Sequence, residues 1–220
     1  MKLVISLGGS MLRLDKIKDY AKVLEDIARD HKVFVVVGGG RIAREYINTA
    51  RSLGADETFC DYIGILATRL NAMLLISALK SSPKVVPKDF IEAYELSKAY
   101  DIIVMGGTFP GHTTDATAAL LAEFVNADML LIATSVDGVY SKDPKAYSDA
   151  IKFDRLPASK LVEIVSKSTA KAGSSVVVDL LAAKIIERSK IKTVVFFGEP
   201  ENILRVVRGE EIGTVIEASS

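Results

Sequence analysis

Cysteine is almost absent from this 220-residue chain: Cys60 stands alone. No internal disulfide can form, and a structural zinc cluster built on cysteines is excluded. That fits a reducing compartment, and the cytoplasm is the expected location. Cys60 reads as a small hydrophobe rather than a nucleophile. Surplus charge is also absent. Lysine plus arginine equals aspartate plus glutamate, 28 each, so no basic excess points to DNA or RNA as partner. A local cluster could still hold a small anion. Histidine occurs only as His31 and His112, and no histidine–carboxylate–nucleophile set is evident, which argues against a hydrolase. The opening residues 1–9 carry one positive charge and an apolar run too short for a signal peptide. No stretch is read as approaching the roughly 20 apolar residues that span a membrane. The P-loop pattern G-x-x-x-x-G-K-[ST] occurs nowhere.

What is present is a globular balance, 49% hydrophobic and 25% charged, on a chain long enough for one large domain over 1–220. Short apolar runs at 3–7, 33–37, 85–86, 102–105, 129–133, 193–197 and 214–216 read as strands. Most are β-branched and nearly continuous, as strands covered on both faces should be. Helix-period segments fall between them, at 16–30, 41–53, 60–80, 89–98, 115–126, 158–171, 175–189 and 200–208. This alternation implies an α/β protein with a mostly parallel sheet and helices on both faces. Asp15 is expected to cap the first helix, and Pro157-Ala158-Ser159 to open a later one.

Three strands finish in glycines: Gly8-Gly9-Ser10, Gly38-Gly39-Gly40 and Gly106-Gly107-Thr108. Glycine lets backbone N–H groups approach a phosphate, and the following helix offers its positive end. One such turn is weak evidence; three at one sheet edge predict a phosphate site. Residues 38–43 also satisfy G-x-G-x-x-A, with Asp61 downstream. That fingerprint normally belongs to the first strand of its unit, and it leaves the other turns unexplained, so a nicotinamide-dinucleotide enzyme is disfavoured. An arginine beside a glycine-rich turn is a reasonable counter-charge, since guanidinium binds phosphate oxygens bidentately, and Arg44, one turn into the second helix, is preferred over Arg41 without a reason from spacing alone. Arg44 and Asp115 are the candidate catalytic residues.

Residues 106–116 read Gly-Gly-Thr-Phe-Pro-Gly-His-Thr-Thr-Asp-Ala. Thr113 and Thr114 suit a helix start, and with the N-terminal N–H groups they suit a monophosphate. Asp115 either complements the helix dipole or orients cations in the site. His112 is a loop histidine or a ligand contact, and His31 looks structural. Asp61 is expected at the start of a long helix whose Leu66, Leu70 and Met73 form a core or subunit-interface stripe. Residues 134–144, Thr-Ser-Val-Asp-Gly-Val-Tyr-Ser-Lys-Asp-Pro, leave an apolar strand with an aromatic face and polar tips suited to a nucleotide base and ribose.

Together these residues resemble the amino acid kinase family, whose members transfer phosphoryl groups on a three-layer αβα sandwich. The general marks are 7–10, 38–40 and 134–144. The segments 61–65, 107–116 and 171–183 resemble most the archaeal-type uridylate kinases within that family. The resemblance implies ATP held by Gly8, Gly9, Ser10, Gly40, Arg44, Thr134, Tyr140 and Asp143. It implies UMP held by Gly39, Asp61, Thr108, Phe109, Pro110, Gly111, His112, Thr113 and Thr114. It also implies Mg²⁺ carried with ATP, no metal-ligating side chain of the protein, and a homohexamer. Many relatives carry lysine where this chain has Ser6 and Asp179. Those lysines serve kinases with carboxylate or amino-acid acceptors, so their absence fits a uridylate kinase. Arg44, Mg²⁺ and, more weakly, Lys142 are left as charge stabilisers. Isopentenyl phosphate kinases place a histidine after the second glycine turn, and residues 41–48 contain none. The alternatives are another small-molecule kinase of the family and a non-catalytic nucleotide-binding protein.

Overall fold

The computed structural model describes residues 1–144, 146–169 and 177–218. Its strands are β1 (Lys2–Leu7), β2 (Lys32–Val37), β3 (Ile102–Met105), β4 (Met129–Thr134), β5 (Arg155–Pro157), β6 (Thr193–Phe197) and β7 (Thr214–Glu217). They form one sheet in the order β3-β2-β1-β4-β6-β7-β5. Neighbours from β3 through β6 are parallel, β7 is antiparallel to β6, and β5 is parallel to β7. The helices are α1 (Ile17–Ile27), α2 (Gly40–Ser52), α3 (Glu57–Ala78), α4 (Phe90–Leu96), α5 (Thr114–Phe124), α6 (Ala158–Thr169), α7 (Leu180–Ser189) and α8 (Pro200–Val207).

Strand alternation divides the core. Leu3, Ile5 and Leu7 of β1 join Val33, Val35 and Val37 of β2 beneath α1, α3 and α8. Val4, Phe34 and Val36 face the other way, under α5, α6 and α7. Both faces are therefore covered, which explains the continuous apolar runs, and the expected three-layer αβα sandwich is met. Ser6 shares the parity of Val4 and is fully buried on the α5 side. The chain winds outward from β1 to β3, then returns to β4 on the other flank of β1. Ligands bind at such a reversal, outside the carboxyl ends of the strands.

Several local expectations change. Residues 85–86 form no strand. Pro83 and Pro87 flank them, and Arg69 donates to the carbonyls of Val86 and Pro87 at 2.8 and 2.7 Å. In their place β5 pairs with β7. Asp15 does not cap α1; it lies in a short 3-10 turn and binds Arg13. Helix α3 begins earlier than expected, where Asp56 accepts from the N–H of Phe59 at 2.8 Å, so Asp61 sits in its second turn. Helix α7 begins at Leu180 because Asp179 caps it, and the part of the expected helix at 175–176 lies outside the described residues.

Contrary to the sequence reading, α3 is long and apolar enough to cross a membrane by length and composition, with 22 residues and a hydropathy of 1.4. It packs on α1, α2, β2 and β3. Its stripe is not core: Leu66 and Met73 are 67% and 60% exposed.

Tyr20 of α1 fastens the edge where the strands end. Its buried hydroxyl lies 2.7 Å from the carbonyl of Gly198 and 3.0 Å from that of Met11. This ties the turn after β1 to the turn after β6. Tyr20→Phe leaves both acceptors without that donor and is expected to cost about 1–3 kcal/mol in urea unfolding. An unchanged midpoint and slope would show that the tie carries no stability.

Candidate active site

The register brings the turns together. Leu7 lies opposite Val37 on one side and Ala133 on the other, and Val36 lies opposite Met105. Gly8, Gly38 and Thr134 therefore leave the sheet at one level, with Gly106 beside them, as the sequence predicts. The first two turns then press backbone against backbone. A Cβ on Gly9 would stand 2.0 Å from the nitrogen of Gly40, and one on Gly38 would stand 2.3 Å from the nitrogen of Gly9. Gly40 also has φ +65°, a conformation that disfavours side chains. Helix α2 starts here without a side-chain cap, so its first amides and positive end remain available to an anion.

Two cavities meet at this contact, and Gly9, Ser10, Gly39, Gly40 and Arg44 line both. The first, of about 440 Å³, continues past Asp61 and Thr68 of α3 to Phe109, Gly111, His112, Thr113 and Thr114. The second, of about 370 Å³, continues past Leu12, Arg13 and Arg41. Arg44 has no hydrogen-bond or ion-pair partner among the described residues, whereas Arg41 lies 3.4 Å from Glu45. Of the two arginines that follow the second glycine turn, Arg44 is thus the uncommitted one among the described residues.

The loop after β3 is held from below. Asp61 accepts from the N–H of Gly111 at 2.8 Å, so this carboxylate both lines the cavity and fixes the loop opposite. Thr68 accepts from the N–H of Gly107 at 2.7 Å and donates to the carbonyl of Ile65 at 2.6 Å. The Nδ1 atom of His112 is buried without a protein partner among the described residues, and a buried polar atom of that kind calls for one. Thr113 caps α5, its hydroxyl accepting from the N–H of Ala116 at 3.0 Å and donating to Asp179.

Asp115 is not in the cavity wall. It accepts from the buried hydroxyl of Ser6 at 2.6 Å. Burial pushes its carboxyl up to about 6, the Ser6 hydrogen bond works against this, and the Asp179 charge adds to it.

A third, smaller hollow lies past β4. Val139, Tyr140 and Asp143 line one side, Leu161 and Val165 another, with Val177 and Val178 closing it. The Tyr140 hydroxyl donates to Asp137 at 2.8 Å, and Lys152 binds the same carboxylate at 3.1 Å, so Tyr140 offers its ring. Lys142 is committed to Asp149 at 2.5 Å and to the Tyr147 ring at 5.1 Å, which weakens its candidacy as a charge stabiliser. Gly8, Thr108, Pro110 and Thr134 stand beside the cavities rather than in their walls. Residues 171–176 of the resemblance lie outside the described residues.

The sequence reading missed Thr68 and Asn71. The Asn71 amide donates to the carbonyls of Gly38 and Gly39 at 2.9 and 3.1 Å, locking the second glycine turn. The available signal was a lone amide inside the apolar run Leu70-Asn71-Ala72-Met73-Leu74-Leu75.

A sandwich wound this way, with glycine turns meeting at two cavities, belongs to a phosphoryl-handling class, and the Amino acid kinase family model matches residues 1–196. The chain belongs to that family. Among curated relatives, the uridylate kinase of Archaeoglobus fulgidus is 67% identical over 218 residues, covering 98% of this chain and 100% of the relative. That of Methanocaldococcus jannaschii is 55% identical over 225 residues, covering 99% and 100%. The crystal structure of the Archaeoglobus fulgidus uridylate kinase superposes with a TM-score of 0.92 at 66% identity, covering 98% of this chain and 100% of that one. The UMP kinase structure from Bacillus anthracis gives 0.82 at 26% identity, covering 100% and 96%.

The raised carboxyl has a thermodynamic signature. An unfolded aspartate titrates near 3.9, and folded Asp115 titrates at about 6. Between these values the folded state binds the extra proton, so stability falls as pH rises through the window. Asp115→Asn removes the titrating group and should gain on the parent protein from pH 4 to 6, by up to about 3 kcal/mol. Denaturation at pH 4, 5, 6 and 7 measures this. Identical pH slopes for the two proteins would assign the effect elsewhere.

Proposed function

We propose that this chain is an ATP-dependent UMP kinase, moving the γ-phosphoryl group of ATP to UMP to give ADP and UDP in pyrimidine nucleotide (CTP) biosynthesis. The observation that carries this reading is the junction of two cavities at Gly9, Ser10, Gly39 and Gly40, with the unpaired Arg44 on both. Phosphoryl transfer needs two anionic groups brought end to end and neutralised where they meet. UMP occupies the cavity of Asp61 and residues 108–114, with Asp61 toward the ribose, the threonines and the α5 N-terminus toward the phosphate, and the orphaned His112 nitrogen nearby. ATP lies across Gly8, Gly9, Ser10 and Gly40, with its base toward Tyr140 and Asp143 and its sugar near Thr134. The names of the relatives, uridylate kinase and UMP kinase, support UMP as the acceptor.

UMP has a second pKa near 6, by analogy with other phosphate monoesters, so it is mostly dianionic at pH 7 and attacks in line without a general base. Asp115, turned toward Ser6, positions that strand end and removes no proton from UMP. Mg²⁺ carried on ATP would supply further charge neutralisation at the phosphates, beside the glycine-turn amides and Arg44. The chain acts as one domain over 1–220 in the cytoplasm. It assembles as a homohexamer, for which the exposed face Phe59, Tyr62, Leu66, Leu70 and Met73 of α3 supplies one apolar interface.

Release of ADP from Mg-ATP should depend strongly on UMP and little on CMP, AMP, GMP or isopentenyl phosphate. Arg44→Ala should lower UMP-dependent turnover on the order of a hundredfold with an unchanged melting temperature. Release with another acceptor would move the chain elsewhere in the family, and ATP binding without any release would make it a non-catalytic binder. For assembly, Leu66→Arg lies on the exposed face and should shift the mass measured by light scattering to a smaller species. An unaltered mass would exclude that face as an interface.

A further inference from the structure

We propose that Asp179 is a specificity residue that limits how tightly the acceptor cavity holds an anion, and so favours departure of the more highly charged diphosphate product. The inference rests on the reading of that cavity as the acceptor site. Thr113 lines the cavity, and its hydroxyl has a single proton. That proton is donated to Oδ2 of Asp179, while the hydroxyl oxygen accepts from the N–H of Ala116 at 3.0 Å. A phosphate arriving beside Thr113 finds the proton already committed and a carboxylate directly behind it.

The same carboxylate is fixed from its other side. Its Oδ1 accepts from the N–H of Ala182 at 3.0 Å and caps α7. Asp179 therefore cannot swing away without uncapping that helix. Helix α5 directs its positive end at the cavity, which attracts anions. Asp179, with Asp115 in the first turn of α5, sets negative charge against that attraction. Asp115 responds to the nearness of Asp179, its carboxyl being raised in part by it. The repulsion grows with ligand charge, so it weighs more on a nucleoside diphosphate than on a monophosphate and leaves the neutral nucleoside untouched.

Asp179→Asn isolates the charge. The amide oxygen keeps the α7 cap, and the amide N–H can donate to the Thr113 oxygen, freeing the hydroxyl proton for a ligand. Calorimetric titration of the full chain with UDP, UMP and uridine is the test. The Kd for UDP should fall about tenfold, that for UMP by less, and that for uridine by less than twofold. The gain should shrink at high salt. A role confined to capping, which asparagine preserves, would leave the three affinities in their original ratio, and that result would overturn the proposal. Tighter binding of all three ligands alike would also overturn it. If the unaltered protein binds none of the three, the acceptor-site reading fails first and the proposal with it. Should the asparagine variant not fold, Asp179→Ser, able to cap but too short to reach Thr113, provides the same comparison.

Discussion

The rest of the site depends on the contact between the turn after β1 and the turn after β2. Gly9 and Gly40 approach so closely that a single Cβ would stand 2.0 Å from a backbone nitrogen. Two parallel strands lie about 4.8 Å apart, and their turns can share one wall only if neither carries a side chain. Because they do, the two cavities are neighbours, and one guanidinium four residues into α2 reaches both. Asn71 closes the arrangement from α3 by binding two carbonyls of the second turn. The glycines have a packing reason that comes before any ligand. The uncapped start of α2 is the consequence that a phosphate can use.

Most of the sheet was legible because strands buried on both faces must be continuously apolar, and the runs of β1, β2, β3, β4 and β6 are. The pattern failed where length and environment, not composition, decide. Val85-Val86 has the right residues but sits between prolines, with the carbonyl of Val86 taken by Arg69. β5 has the wrong ones: only Leu156 of Arg155-Leu156-Pro157 is buried, and its pairing with β7 comes from far along the chain. Helix starts were legible where the cap was a threonine beside its helix, as at Thr113. They were misread where two acids competed, as at Asp56 and Asp61.

The candidate site was legible as a set of turns and opaque as a set of contacts. Spacing alone could not separate Arg44 from Arg41, because both follow the glycines. Glu45 separates them by occupying Arg41. Thr68 and Asn71 carry no local signal beyond being polar on a mostly apolar helix, since the groups they bind lie about 30 to 40 positions away. The double duty of Asp61, lining a cavity and holding the loop across it, likewise exists only once Gly111 is folded above it.

A chain with no net charge can still manage highly anionic ligands, because field depends on placement rather than on total. Positive helix ends, free amides and Arg44 gather at the strand ends. Ser6, fixed inward by the alternation of β1, presents its hydroxyl to Asp115, so the nearby carboxylates are anchored rather than loose. The anchoring matters for turnover. A site made only of attraction would bind substrate and product alike, and uniform tightness adds nothing to the rate of the chemical step. Fixed negative charge behind the threonines makes the attraction depend on how much charge arrives and where it sits. That selectivity requires two helices to begin at the same place, with Thr113 capping α5 and Asp179 capping α7.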